Sequence, residues 1–382
     1  MPSFAEIPPG AHLQLYADCR PVRGAVRSAV YDLTRNELVF FPTAYFDVLQ
    51  YLTGGPLAPL LEDLESGEEK EAVEDFIRYL QQNDLVHFVK DSSLFPPLEE
   101  AWEVPACIQN ALIDVDAVCP DFEALFRQLD ELGCPYVQIR CFSNLLGPED
   151  LRRLLASAKH RSIQSVELLL PYDAALPDET LVQLVEDEPI ICGLTVHSAP
   201  EERLLTVDYG CDEVAGRYIT KAIPFITQAI DTHRHCGLMS EKHLNAPTVA
   251  NFFEAQKFNG CLNRKIAVDV FGEIKNCPSM AHSFGNIRDT ELRQAVGQEA
   301  FRRSWTMAKD SIRTCRDCEF RYACSDCRAY VEDPSDPYSK PLKCGYDPYT
   351  ATWEEWSRHP MKQKAIVFYG LENLSSAGRY PA

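Results

Sequence analysis

The feature that most limits what this chain can become is the stretch from Cys261 to Cys344, where seven cysteines stand at ligand spacing: Cys261, Cys277, Cys315, Cys318, Cys324, Cys327 and Cys344. Two cysteines separated by two residues can turn both sulfurs toward one soft ion, so Cys315-Arg-Asp-Cys318 and Cys324-Ser-Asp-Cys327 are two ready pairs. Cys261 and Cys277 are joined through residues 264–275, whose β-branched side chains and central Gly272 predict a short hairpin with a thiolate near each end. Tetrahedral zinc takes four ligands, so seven cysteines are too many for one ion and one short of two full sets. Two iron-sulfur clusters, one with an eighth ligand elsewhere or an open position, suit the count better. Structural zinc with spare thiols remains the alternative, and disulfides are disfavoured in a reducing compartment.

Composition bounds the rest. At 382 residues and 46% hydrophobic content the chain can hold two or three domains with real cores. No run approaches eighteen uninterrupted apolar residues, and the opening Met-Pro-Ser-Phe-Ala-Glu-Ile-Pro-Pro lacks the basic and apolar regions of a signal peptide. A soluble cytoplasmic protein with reduced thiols is expected. The net charge of −20 repels phosphate backbones and anionic lipid, which argues against nucleic-acid and membrane partners. Basic residues nonetheless gather in the cysteine segment, at Arg264, Lys265, Lys275, Arg313, Arg316, Arg321, Arg328 and Lys343. They read either as ordinary solvated charge or as an offset to thiolate-ligated clusters.

In chain order, His12 to Cys19, Ala25 to Leu33 and Glu37 to Phe41 read as strands, followed by a helix from Pro42 with Tyr45, Val48, Leu49 and Leu52 on one face. Ser66-Gly-Glu-Glu69 is a capping box opening a helix with Val73, Phe76, Ile77 and Leu80 buried, and Leu85 to Val89 closes the module as a strand. Residues 91–105, with Pro96, Pro97 and Pro105, read as a linker.

From Ala106 strands starting near 107, 136, 165 and 190 alternate with helices striped by Phe122, Leu125, Phe126 and Leu129, by Leu151, Leu154 and Leu155, and by Leu181, Leu184 and Val185. That period suits parallel βα units, and up to two more strands are expected between Leu204 and Leu238. An α/β chain with an open or partial (β/α) barrel of five or six strands is predicted, a flavodoxin-like sheet being the alternative. Asp289 is expected to cap a helix through Leu292 and Val296, with a second near Gln298 to Met307. Trp353, Trp356, Phe368 and Tyr369 should pack the tail onto the body. No phosphate loop or Gly-x-Ser-x-Gly is present, and His233 with His235 reads as a local hydrogen-bonding feature.

The order Cys261-x10-Gly272-x4-Cys277, Cys315-x2-Cys318-x5-Cys324-x2-Cys327, Cys344 resembles the seven-cysteine SPASM domain of radical SAM peptide-modifying enzymes. The last internal gap is two residues where that family usually has three. Asn259-Gly-Cys-Leu-Asn-Arg-Lys265, Gly272-Glu-Ile-Lys-Asn-Cys-Pro278 and Lys340-Pro-Leu-Lys-Cys-Gly-Tyr-Asp-Pro348 narrow the likeness to the SPASM-domain peptide maturases of grasp-with-spasm systems. The close resemblance covers roughly residues 230–360. It implies two auxiliary 4Fe-4S clusters, one on Cys315, Cys318, Cys324 and Cys344, the other on Cys261, Cys277 and Cys327. Cys236, in His233-Arg-His-Cys236-Gly, is the candidate fourth ligand of the latter. The N-terminal module resembles the winged-helix-like PqqD element that holds a precursor's leader by adding it as a strand to a sheet edge.

The resemblance therefore implies residues 1–90 as the recognition module, 91–105 as linker, 106–240 as a degenerate radical SAM-like barrel, 241–360 as the SPASM domain and 361–382 as tail. It also implies a ribosomal precursor peptide and an ATP-grasp ligase as partners. The likeness fails in one respect: no Cys-x3-Cys-x2-Cys triplet occurs anywhere. The loop after the first barrel strand supplies Cys119 alone, and the turn that would bind methionine reads Phe142-Ser-Asn-Leu-Leu-Gly-Pro148. Cleavage of S-adenosylmethionine is not expected, and Cys107, Cys119, Cys134, Cys141, Cys192 and Cys211 are expected as core thiols. The expected function is an iron-sulfur peptide maturase, with a non-catalytic adaptor on structural clusters or zinc as the alternative.

Overall fold

The computed structural model describes residues 10–57, 59, 64, 66–212 and 217–374. The N-terminal strands are β1 (His12–Leu15), β2 (Cys19–Val22), β3 (Arg27–Asp32) and β4 (Glu37–Pro42). The single run expected over 12–19 is two strands, because Cys19 N–H closes a turn onto the carbonyl of Tyr16 at 2.9 Å. β2, β3 and β4 form an antiparallel sheet in that order, while β1 pairs instead with β5 (Val86–Val89).

Pro42 ends β4 and does not open a helix: a 3-10 turn over Thr43–Tyr45 leads into α1 (Phe46–Leu52). α2 (Gly67–Gln82) carries the predicted capping box, with Ser66 and Glu69 bonded reciprocally at 3.1 and 3.2 Å. Its buried stripe of Val73, Phe76, Ile77 and Leu80 packs with Leu49, Leu52 and Phe41.

The centre is one eight-stranded sheet. Four parallel strands follow the predicted period: β6 (Asn110–Val115), β7 (Tyr136–Cys141), β8 (Ser165–Pro171) and β9 (Ile191–His197). Their crossovers are α3 (Phe122–Glu131), α4 (Pro148–Ala158) and α5 (Asp178–Asp187), each burying the expected apolar stripe. Gly133, at φ 68°, ends the first of them as the left-handed C-cap position requires. The two further strands are an antiparallel hairpin, β10 (Arg203–Asp212) and β11 (Arg217–Phe225).

The cysteine-bearing hairpin, β12 (Lys265–Val268) and β13 (Ile274–Lys275), joins the same sheet by pairing β12 in parallel with β6. The order is β10-β11-β9-β8-β7-β6-β12-β13, so the sheet is open and two strands wider than the upper expectation of six. The fold is thus mixed α/β, with a mostly parallel central sheet compatible with a partial βα architecture.

Side chains alternate across such a sheet. Ala111, Ile113, Val115, Val137, Ile139, Val166 and Leu168 enter the apolar core with the crossover helices. Asp114, Gln138, Arg140, Glu167 and Lys265 stand at the alternate positions in register, leaving a polar face opposite the helices.

α6 (Val249–Lys257) precedes the hairpin in sequence, and α7 (Leu292–Gly297) and α8 (Glu299–Arg302) follow it. The cap of α7 is Glu291 and not Asp289, since a turn from Asn286 to Thr290 occupies the earlier residue. α8 gives way to a 3-10 turn at Arg303, short of the expected helix to Met307. The N-terminal sheet is fixed to this region: Val22, Ala29, Tyr31 and Leu33 pack on Phe252 and Phe253 of α6. In the tail Trp356 is buried and Trp353 packs on Tyr346, but Phe368 is 68% exposed, at the end of α9 (Gln363–Phe368). No helix among the described residues is long and apolar enough to cross a membrane.

Candidate metal centre

The eight cysteines expected as ligands fall into two neighbourhoods. In the first, burial pushes the Cys277 thiol up to about 11 and Cys327 up to about 12, and the charges of Cys261 and Cys236 push both the same way. Cys261 is likewise raised by burial and by Cys236. In the second, burial pushes Cys315 up to about 11 and raises Cys318 and Cys324, each then raised further by others of the same set. Cys344 bears on Cys315 and Cys324.

Packing explains how distant segments meet. Gly237, at φ 87°, lies so close to Cys327 that a Cβ there would stand 3.0 Å from its sulfur, which places Cys236 beside it. Met239 bridges in parallel to Cys344, and the Lys343 ammonium donates to the Cys236 carbonyl at 2.8 Å. The Asn259 side chain accepts from the amides of Cys261 and Leu262 and donates to Asp326 at 2.7 Å. Asp326, at φ 55° and fully buried, sits inside Cys324-Ser-Asp-Cys327, the link whose first cysteine faces one set and whose last faces the other.

Three raised thiols in each set stay protonated on their own, and a bound cation such as cluster iron would be what holds them as thiolates. Among the described residues no three His, Cys, Asp or Glu side chains close tightly enough to hold one metal ion. In a four-iron cluster each thiolate binds a different iron, so the sulfurs stand wider apart than in a tetrahedral zinc shell. The donor set, all sulfur and in two fours, fits such clusters.

Cations line both sets, most of them buried. Lys265 Nζ and Lys309 Nζ each lie 3.7 Å from a sulfur, those of Cys261 and Cys315. Lys309 pairs with Asp326 at 3.0 Å and Arg328 with the same carboxylate at 2.7 Å. Arg140 forms a two-pronged pair with Asp114, at 2.7 and 2.9 Å, on the polar face of the sheet beside Cys236 and Cys277. His233 is a local hydrogen-bonding group, 3.1 Å from Ser279 Oγ, and burial with the nearby Arg140 pushes it down to about 4.

The sequence reading singled out Lys265 and Arg328 among the basic residues but missed Lys309, Asp326 and Arg140. Alternation in Tyr136-Val-Gln-Ile-Arg-Cys141 was the signal for the last. Of the cysteines expected in cores, Cys134 and Cys141 are buried, whereas Cys107, Cys119 and Cys192 are exposed. Cys107 precedes β6, Cys119 lies in the loop after it, and Cys192 faces out of β9. The side chain of Cys211 lies outside the described residues.

The N-terminal module docks directly on the second set. Arg27 pairs with the fully buried Glu319 at 2.8 Å, Tyr31 donates to the Glu319 carbonyl at 2.7 Å, and Ala25 N–H donates to Asp317 at 2.8 Å. The outer edge of β4 borders a groove of about 500 Å³ lined by Leu38, Phe40, Tyr79, Leu244 and Phe320. No known family's sequence model matches this chain, and none of the curated proteins compared with it matches either.

Proposed function

We propose that this chain is an iron-sulfur protein of ribosomal peptide maturation, a SPASM-type maturase without the cluster that cleaves S-adenosylmethionine. Two 4Fe-4S clusters would be held by Cys236, Cys261, Cys277 and Cys327 and by Cys315, Cys318, Cys324 and Cys344. What supports the reading is that distant segments bring these cysteines near one another, Gly237 packing on the Cys327 sulfur and Met239 bridging to Cys344, with a lysine against the sulfurs of Cys261 and Cys315. When bound, such clusters supply one-electron transfer or a Lewis-acidic iron.

The chain's own residues have separable tasks. The outer edge of β4 and its groove would take an extended leader segment, whose main chain would bond at Leu38 and displace the Tyr79 hydroxyl from the Phe40 carbonyl, with Leu38, Phe40 and Phe320 supplying apolar contact. Gln138 and Glu167, on the polar face of the sheet, would hold the peptide's modified region, with the buried Arg140–Asp114 pair beneath the neighbouring cysteine set and the exposed Cys236. The partner would be an ATP-grasp ligase that forms ester or amide crosslinks. The test is co-expression of precursor and ligase with and without this protein. Modified peptide is expected only in its presence, and identical product in its absence would defeat the proposal.

A further inference from the structure

The two cysteine sets differ in the charge that surrounds them. At the first, Lys265 lies against the Cys261 sulfur, and Lys343 donates to the carbonyls of Arg234 and Cys236 with its ammonium 4.6 Å from the Tyr330 ring. Among the described residues neither lysine has a carboxylate partner. Arg140 adds a third cation, offset by Asp114, and the Asp326 carboxylate in the link between the sets bears on Cys261 without pairing to Lys265 or Lys343.

At the second set, among the described residues, each of the cations nearest the sulfurs is shared with an acid. Lys309, on the Cys315 sulfur, and Arg328 both pair with Asp326. Lys362, which donates to the Cys344 carbonyl at 2.6 Å, pairs with Glu332 at 2.9 Å. Glu319, next in sequence to Cys318, is fully buried against Arg27. Exposure runs the same way: Cys236 is exposed in the first set, whereas Cys315 is buried in the second.

A cluster on four thiolates is an anion, and reduction adds a further negative charge. Unshared cations and solvent stabilise the reduced form most, and so raise the potential. We propose that the cluster on Cys236, Cys261, Cys277 and Cys327 has the higher reduction potential, so that the chain relays electrons one way, from the Cys315 set to the Cys236 set. This rests on the two-cluster reading above. One electron leaves the reduced second cluster and arrives on the oxidised first, with no bond made or broken, after a low-potential one-electron donor has reduced the second. The link Cys324-Ser-Asp-Cys327 is the shortest chain path between the sets, and the electron ends beside the polar face of the sheet.

The test is a dithionite redox titration of the anaerobically purified full chain, followed by electron paramagnetic resonance, on the wild type and on Lys265→Met and Lys309→Met. Two one-electron waves are expected. Lys265→Met should lower the upper wave by at least a tenfold change in the oxidised-to-reduced ratio, about 59 mV. Lys309→Met should move the lower wave, and Lys265→Arg should restore the upper one. If Lys265→Met moves the lower wave, or neither wave moves, the inference is overturned while the cluster reading stands. Wild-type protein without iron overturns both. Should Lys265→Met fail to fold, the Lys309→Met shift decides: movement of the upper wave refutes the order.

Discussion

The tie between the N-terminal module and the cysteine loop rests on Arg27, and Arg27→Met measures it. The Glu319 side chain is fully buried, and its carboxylate faces the Arg27 guanidinium at 2.8 Å. Removing one partner of a buried pair leaves an uncompensated charge and costs about 3–5 kcal/mol. Two features lower that figure here. The Arg27 side chain is 29% exposed, so water can replace part of it, and the Tyr346 hydroxyl still donates to the carboxylate. Met keeps the apolar stem against Phe40, whose ring lies 4.0 Å from the guanidinium carbon. A net cost of about 2–3 kcal/mol follows.

The assay is native-state hydrogen exchange at the Ala25 amide, which donates across the contact to the Asp317 carbonyl. At about 1.4 kcal/mol per decade, its exchange should quicken by about 30- to 150-fold. The amides of α3, in the central core, should change far less. Exchange at Ala25 within about threefold of wild type would refute the claim that this ion pair holds the module to the loop.

Other perturbations read other parts of the structure. Cys236→Ala should lower the iron content of anaerobically purified protein, while Cys192→Ala, on the outward face of β9, should leave it unchanged; equal effects would deny Cys236 a ligand role. Burial lowers the pKa of His197, whose Nε2 lies 2.9 Å from the Cys141 carbonyl, so the folded state binds fewer protons than the unfolded one as pH falls below about 6.5. Its contribution to stability is complete above that pH and lost as pH falls toward the depressed folded value. Urea midpoints at pH 7.5 and 5.5 should differ less in His197→Gln than in wild type. Ser66→Ala removes the cap of α2 and should cost about 1 kcal/mol in urea unfolding, with Ser66→Asp close to wild type.

What could be read from the sequence was local in origin. The stripes of α2, α3, α4 and α5 and the parallel period of β6 to β9 depend on neighbours within one element or one crossover, and they stand where periodicity puts them. The breaks have equally local causes that periodicity does not see, such as the turn at Tyr16 that splits one strand run and the Asn286–Thr290 turn that moves a helix cap to Glu291. Long-range pairing was not legible. Nothing in Lys265-Ile-Ala-Val268 says that it lies beside β6, far upstream in sequence, or that Lys265 thereby joins Arg140 on one face. The same holds for Lys309, Asp326 and Glu319, ordinary charged residues in sequence that become buried partners only when the loops close around the cysteines. The exposed Phe368 shows the converse, an apolar residue in an apolar stretch that the last helix turns outward.

The most direct measurement is iron and acid-labile sulfide per chain after anaerobic purification, with the absorption near 400 nm. Two four-iron clusters on these eight cysteines predict about eight irons and eight sulfides. Stoichiometric zinc, or protein that is colourless and free of iron, would contradict the account.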